Sequence, residues 1–409
     1  MAQNSQPDLE RRQRIADALQ QHQLDAVVCA LPSRVLLLSG YFPVVGTSIA
    51  IATKEQQVLI IAPEDEEQLA HGGCADEVIT YKPGRLDRLQ SVDQAVVPPL
   101  RDAVRRLRLA QSRIGFEHGP ASEPASYSAM NLFGGSIRTI LQEAAPQILL
   151  DPADDLLARL ASVKTRREVE CIRLACKVAE RAFEQCSRHL RPGMSEFGAA
   201  ALLRAGFSIS GPQFGVARLE GFAWCMSGPN SAEAAYAYAR SRDRHLAGGD
   251  LVLMHANSCA NGYWTDITRT FTLGEPDDRK RQLYSAIMQA REAALKAVCP
   301  GVRGRDVDAA ARDSLAHSGY AQEFKHSTGH GVGFSAISAD ALPRLHPASD
   351  DVLEVGMVFN VEPAVYFEGY GGIRHCDMVV VTEKGAEILA GFQDDMRKLV
   401  IRNCGAASV

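Results

Sequence analysis

Five residues in the second half of this 409-residue chain have types and surroundings suited to chemistry: His255, Asp266, His330, Glu362 and Cys376. Asp266 lies in YWTDITRTF, which reads as a strand. Side chains alternate along a strand, so Asp266 and Thr268 share a face. A carboxylate among β-branched and aromatic residues needs a partner or a metal to be buried. Glu362 ends the apolar run MVFNV and precedes Pro363, where an unpaired carboxylate is equally costly. His330 sits in GHGVG, between glycines that allow close backbone approach. His255, in LVLMHA, offers an imidazole able to ligate Zn or Fe but unable to chelate with two oxygens; a satisfied core histidine is the competing reading. Cys376, in IRHCDMVVV, is a soft metal ligand, a nucleophile if its pKa is lowered, or an inert buried thiol. His375, its neighbour, should point to the other face of the strand.

The elements that must position these residues are legible in outline. ERRQRIADALQQHQ has helical periodicity. LDAVVCAL, TSIAIAT, QQVLIIAP, EVITYKP and RIGFEH read as strands. Between the last two, RLQSVDQAVVPPLRDAVRRL reads as a helix broken near Pro98-Pro99. Strands alternating with helices predict a mixed sheet covered by helices. No Gly-rich phosphate loop follows any of these strands. A boundary is expected near 150–163. There ILLDPADDLLARLASVKT leads into a long helix capped by Thr165 and Glu168 and stopped by Pro192-Gly193. A shorter helix, SEFGAAALLRAG, follows. The layout recurs: DDRKRQLYSAIMQAREAALKAV, a stop at Pro300-Gly301, then GRDVDAAARDSLAHSGY. Such an internal duplication predicts two similar halves with a cleft between them. GDLVLMHA, SCANG and YWTDITRTF read as strand, turn and returning strand.

Composition excludes several classes. Hydrophobic residues make up 46% and charged residues 23%, enough to bury a full core in two domains. A net charge of -5 and a pI near 6.1 argue against nucleic acid as a partner. No apolar run approaches the roughly 18 residues of a membrane span, and the polar start MAQNSQPDLERRQR reads as no signal sequence. Ten cysteines without a CxxC pair suit a reducing compartment, so a cytoplasmic protein is expected.

The segments LVLMHANSCANGYWTDITRTF, HSTGHGVGF, GMVFNVEPAVY and GGIRHCDMVVVTEKG resemble the four signature segments of the family of aminopeptidase P, prolidase, methionine aminopeptidase and creatinase, the pita-bread fold. The resemblance covers nearly the whole chain. It implies an α/β protein: an N-terminal creatinase/prolidase-like domain over 1–158 and a C-terminal pita-bread catalytic domain over 159–409 with a pseudo-twofold duplication. Metal-binding relatives place Asp, Asp, His, Glu and Glu where this chain has His255, Asp266, His330, Glu362 and Cys376. Two carboxylates are thus replaced, and the lost negative charge predicts zero or one divalent ion, Zn or Fe, rather than a two-metal cluster. Relatives also carry a histidine where this chain has Ile337, and another after the segment SGPN, where SGPNSAEAAYAYARSR has Tyr236 and Tyr238 instead. Tyr236, Tyr238 and Arg374 are the substrate-binding candidates; Arg374, with Asp377, matches flanking residues of the family that also suit a structural role.

Such a site implies hydrolysis of a C–N bond in a small polar substrate. On one route an ion-bound water attacks, with Glu362 or Asp266 as base. On the other Cys376 attacks, with His255 as its base, in the manner of a metal-free creatinase-like enzyme. A prolidase-type metallopeptidase and a non-catalytic ligand-binding or scaffold protein are the alternatives. The resemblance further implies a homodimer in which residues near Tyr41 and Phe42 help shape the partner's pocket.

Overall fold

The computed structural model describes residues 7–43, 46–83, 91–118, 135–236, 240–336 and 342–402. They fall into two units, one reaching to Ala161 and the other starting at Ser162.

The first unit is built on a six-stranded sheet. In chain order its elements are α1 (Leu9–Gln21), β1 (Ala26–Cys29), α2 (Pro32–Ser39), β2 (Ile49–Thr53), β3 (Val58–Pro63), α3 (Glu67–His71), β4 (Glu77–Tyr81), α4 (Val92–Arg106), β5 (Arg113–Phe116), α5 (Gly135–Ala144), β6 (Leu149–Pro152) and α6 (Asp154–Ser162). The sheet order is β4-β3-β2-β1-β5-β6, with β1–β2 and β2–β3 antiparallel and the other pairs parallel. Every residue of β1, β2 and β3 is buried, as expected for strands covered on both faces. The run ILLDP, expected to lead toward a helix, supplies β6.

One expectation fails in this unit. α4 is not broken at Pro98-Pro99; it is continuous from Val92 to Arg106. Both prolines lie toward solvent, while Ala95, Val96, Val97, Leu100, Ala103 and Val104 pack into the core. Burial of that stripe outweighs the helix bonds that the two prolines cannot donate. Tyr41 is packed within its own unit. It is 2% exposed, its hydroxyl bonds the Glu66 carboxylate, and it lies 3.3 Å from Ser48 Oγ.

Glu117, just beyond β5, is 2% exposed. Its Oε1 accepts the backbone N–H groups of Ala30 at 2.5 Å and Leu31 at 2.8 Å, at the start of α2. Burial nevertheless raises its pKa to about 7.

The second unit carries the duplicated layout. α7 (Arg166–Ser187) starts at a capping box in which Thr165 and Glu168 satisfy each other's backbone. α8 (Glu196–Ser210) packs against it, followed by β7 (Leu219–Ser227), β8 (Leu251–Ala260), β9 (Tyr263–Trp264) and β10 (Ile267–Leu273). The second pass gives α9 (Asp278–Ala297), α10 (Gly304–His317), β11 (Gly329–His330), β12 (Arg344–Leu345), β13 (Val358–Val361), β14 (Ala364–Phe367), β15 (Gly371–Arg374), β16 (Asp377–Thr382), β17 (Gly385–Ile388) and β18 (Val400–Ile401). The sheet of the first pass has the order β18-β10-β8-β7, with β9 on β8. β13-β16-β17 form a second sheet. Cys376 N donates to Thr268 O at 3.1 Å, joining the two passes at the functional residues.

The hairpin turn is tighter than SCANG suggested. Ser258, Cys259 and Ala260 belong to β8, and Asn261 and Gly262 alone make the turn, with φ of 50° and 91°. Two consecutive positive φ angles suit the right-handed twist of the strands they connect, and Asn-Gly is the pair that adopts them most readily. Among the described residues no helix is long and apolar enough to cross a membrane.

Glu117 yields a test of stability against pH. Its folded pKa is raised, so the folded state binds a proton more tightly than the unfolded chain. Stability from this group is complete below the ordinary glutamate pKa and is lost as pH rises toward 7. Wild type should lose up to about 1.4 kcal/mol per pH unit across that window relative to Glu117→Gln. Urea midpoints of both proteins at pH 4.5, 5.5, 6.5 and 7.5 measure this; parallel profiles would refute it.

Candidate functional site

β8 and β10 pair antiparallel with His255 opposite Thr268. That register puts His255, Asp266 and Thr268 on one face. His255 Nδ1 lies 3.7 Å from Asp266 Oδ1 and 2.9 Å from Thr268 Oγ1. His330, on β11, brings Nε2 to 3.5 Å from Asp266 Oδ2. Its backbone N–H donates to Asn360 Oδ1 at 2.7 Å, which ties β11 to β13. Glu362, immediately after β13, is held by its backbone N–H on Thr328 O at 2.8 Å. Cys376 donates its thiol to Asp266 O at 3.1 Å and lies 3.6 Å from Asp266 Oδ1. All five predicted residues therefore belong to one connected cluster. Its tightest part is Asp266, Glu362 and Cys376, whose ligand atoms lie within 4.8 Å of one another.

The charges sort sharply. Burial would raise the Asp266 pKa, but His255, His330 and Arg374 beside it hold it well below the usual carboxylate range. Burial raises Glu362, and the Asp266 charge adds to this against the pull of Arg374. His330 is pushed down by burial, yet the Asp266 and Glu362 carboxylates raise it to about 9. Burial lowers His255 to about 4, so its ring is neutral. Cys376 is pushed well above an ordinary thiol by burial and by Asp266 and Glu362.

His255 uses both ring nitrogens: Nε2 lies 3.1 Å from Asn257 Oδ1, and Nδ1 faces the Thr268 hydroxyl. Asn257 donates its amide to Thr265 O at 3.4 Å, so its Oδ1 is the acceptor and the His255 proton sits on Nε2. That leaves Nδ1 as acceptor and no lone pair free for an ion. Cys376 lacks what a nucleophile needs. Its thiol pKa moves up, not down, and among the described residues no hydrogen bond links it to His255.

The residues fit one ion and not two. Two carboxylates and a sulfur form a donor set suited to a single Zn or Fe, and the His330 ring lies beside it against Asp266. A two-metal cluster needs bridging and chelating oxygens at the positions held by the engaged His255 ring and by Cys376.

Arg374 and its surroundings add what residue types alone did not reveal. Its Nε donates to Thr268 Oγ1 at 3.1 Å, and Nη1 lies 3.8 Å from Glu362 Oε2. Its pKa is raised despite burial, because Tyr366, Glu362 and Asp266 surround it. The Tyr366 hydroxyl lies 2.9 Å from His326 Nε2. His326 and Tyr366 were missed; the only signal was their place inside HSTGHG and EPAVY, beside residues already singled out. Tyr236 is 46% exposed, next to the 3-10 segment Gly228–Ala235. Tyr238 and Ile337 lie outside the described residues. His375 does point away from the cluster. It is fully buried against Tyr284, with Nε2 3.4 Å from Asp377 Oδ1.

The sequence profile of metallopeptidase family M24 matches residues 170–383, more than half of the chain and all five cluster residues. The chain belongs to metallopeptidase family M24. The Creatinase/Prolidase N-terminal domain matches residues 11–131. A probable dipeptidase PepE of Mycobacterium tuberculosis is 34% identical over 276 residues, 64% of this chain and 71% of that protein. An Xaa-Pro dipeptidase of Pyrococcus furiosus is 27% identical over 390 residues, covering 95% of this chain and 99% of its own. Among solved structures, an X-Pro aminopeptidase of Thermotoga maritima superposes with a TM-score of 0.76 at 25% identity, over 94% of this chain and 99% of that one. Dipeptidase PepE from Mycobacterium ulcerans gives 0.71 at 28% identity, over 96% and 98%. Membership of M24 makes this chain a member of a hydrolase family with a two-domain α/β fold. The relatives' names point to peptide bonds rather than to the guanidino compounds that a creatinase-like reading favours.

Metal stoichiometry follows from the donor set. Titration of metal-stripped protein with Zn²⁺ or Mn²⁺ by calorimetry should saturate at no more than one ion per chain. Two ions at full occupancy, both lost in Asp266→Asn, would show that His255 and Cys376 substitute fully for carboxylates.

Proposed function

We propose that this chain hydrolyses the C–N bond of a small amide or short peptide, using the Asp266–His330–Glu362 cluster. The observation that carries the reading is the convergence of Asp266, Glu362 and Cys376, whose ligand atoms lie within 4.8 Å of one another, with His330 against Asp266 and Arg374 against Glu362. The names of the relatives support a peptide-type bond.

Asp266 stays ionised and fixes the His330 cation. Glu362, with its raised pKa, exchanges a proton near neutrality. In its ionised form it takes a proton from the attacking water as the oxygen bonds to the carbonyl carbon. It returns that proton to the nitrogen as the C–N bond breaks, leaving a carboxylic acid and an amine. His330 and Arg374 are the cations available to the developing oxyanion. An ion held by Asp266, Glu362 and Cys376, with His330 beside it, would supply Lewis-acid polarisation of the carbonyl. Cys376 then serves as ligand or packing group rather than nucleophile.

Assay against a panel of dipeptides and simple amides tests this. Glu362→Gln and Asp266→Asn should each lower kcat/KM by about 100-fold or more with the fold retained by circular dichroism. The acid limb of kcat/KM should lie above the ordinary glutamate pKa, since Glu362 must be ionised. Thiol alkylation under native conditions should leave turnover intact, because Cys376 is fully buried. A measured activity indifferent to both carboxylate variants would remove the reading.

A further inference from the structure

Four rings on one face of the first-pass sheet form a continuous stack that starts inside the cluster and ends in solvent. Trp224, register partner of His255, stacks on its ring with centroids 5.2 Å apart and planes 18° apart. Phe222, two residues earlier on β7 and so on the same face, stacks on Trp224 at 6.1 Å and 18°. Trp264, on β9 two residues before Asp266, stacks on Phe222 at 6.0 Å and 10°. His255 is buried, the two tryptophans are half-buried, and Phe222 is 48% exposed.

A large aromatic left half in water beside a polar cluster is costly unless something covers it. We propose that Phe222, Trp224 and Trp264 are a specificity-determining subsite that holds a flat, uncharged, unsaturated group of the substrate. Partly exposed aromatic rings favour a flat, unsaturated partner over a rounded aliphatic one. Charge decides against a cation. At the inner end of the platform Asp266 and Glu362 already face His330 and Arg374. At the outer end Glu220, two residues before Phe222, is exposed, so water and salt screen its charge. A cationic group would gain the ring faces but meet the fixed positive charge of Arg374. Continuity with His255 and Asp266 makes the occupant part of the molecule bound at the cluster. The inference deepens the proposed function by naming its substrate class, and it rests on that reading only for the claim that the occupant is a substrate.

The chain has only two tryptophans, and both lie in this platform, so intrinsic tryptophan emission reports on it alone. Three probes of similar size separate the possibilities: benzamide is flat and neutral, cyclohexanecarboxamide is neutral but not flat, and benzamidine is flat and cationic. Benzamide should change the emission saturably, with an affinity about threefold to tenfold better than either of the others. Phe222→Ala, at an exposed position, should remove that preference while Phe222→Tyr retains it. The preference for flat neutral side chains should also appear in KM for hydrolysed amides and fall in Phe222→Ala with kcat little changed. Selective binding without turnover of any amide or peptide supports the subsite and counts against the proposed reaction. Turnover with no flat-group preference, tightest binding by benzamidine, or a Phe222→Ala effect confined to the sedimentation coefficient, meaning that a second copy covers the face, would each overturn the subsite.

Discussion

The site depends on one guanidinium that never meets water. Arg269 is 0% exposed, and all its donors are used. Nε binds Phe392 O at 2.8 Å, Nη1 binds Thr268 O at 2.9 Å and Cys376 O at 2.6 Å, and Nη2 binds Asp377 Oδ1 at 2.7 Å and Ala390 O at 2.9 Å. Arg291 completes the pairing by donating to Asp377 Oδ2 at 2.5 Å. Burying such a charge costs several kcal/mol unless every donor finds an acceptor, as happens here. Arg269 faces away from Asp266 and Thr268 on the same strand, so it works from behind the cluster. By joining β10, the start of β16 and the segment after β17, it holds Cys376 and Arg374 against Asp266 and Thr268. The arrangement of the front follows from the saturation of the back.

Local periodicities and caps were legible in the sequence. Alternation placed Asp266 and Thr268 together, and the Thr165–Glu168 box marked the start of α7 to the residue. The repeated helix, Pro-Gly stop and helix likewise exposed the two passes. Contacts closed across long separations were not legible. Arg374 reaches Thr268 across 106 residues, and Arg269 reaches Asp377 across 108. No periodicity announces such partners, and a residue type says only that some partner is needed. The continuous helix through Pro98-Pro99 belongs to the same class, since tertiary burial overruled a local rule.

The two departures at His255 and Cys376 change the electrostatics more than the shape. A neutral imidazole and a protonated thiol replace two anions, and His330 and Arg374 face the two carboxylates that remain. Charge balance that a two-metal centre takes from its ions is largely met here by side chains. On the proposed reading, the carboxylate available to exchange a proton is Glu362.

The two-residue turn at Asn261–Gly262 has a consequence for how this protein can vary. From Leu251 to Leu273 the β8–β9 and β8–β10 pairings keep a single register. Trp264, Asp266 and Thr268 line one side, with Tyr263, Ile267 and Arg269 on the other. One inserted residue in either arm would exchange those sets, sending the Arg269 charge into the cleft and Asp266 into the packed interior. Changes of length are barred from this hairpin, and its donor set can be altered only by replacing one side chain with another in place.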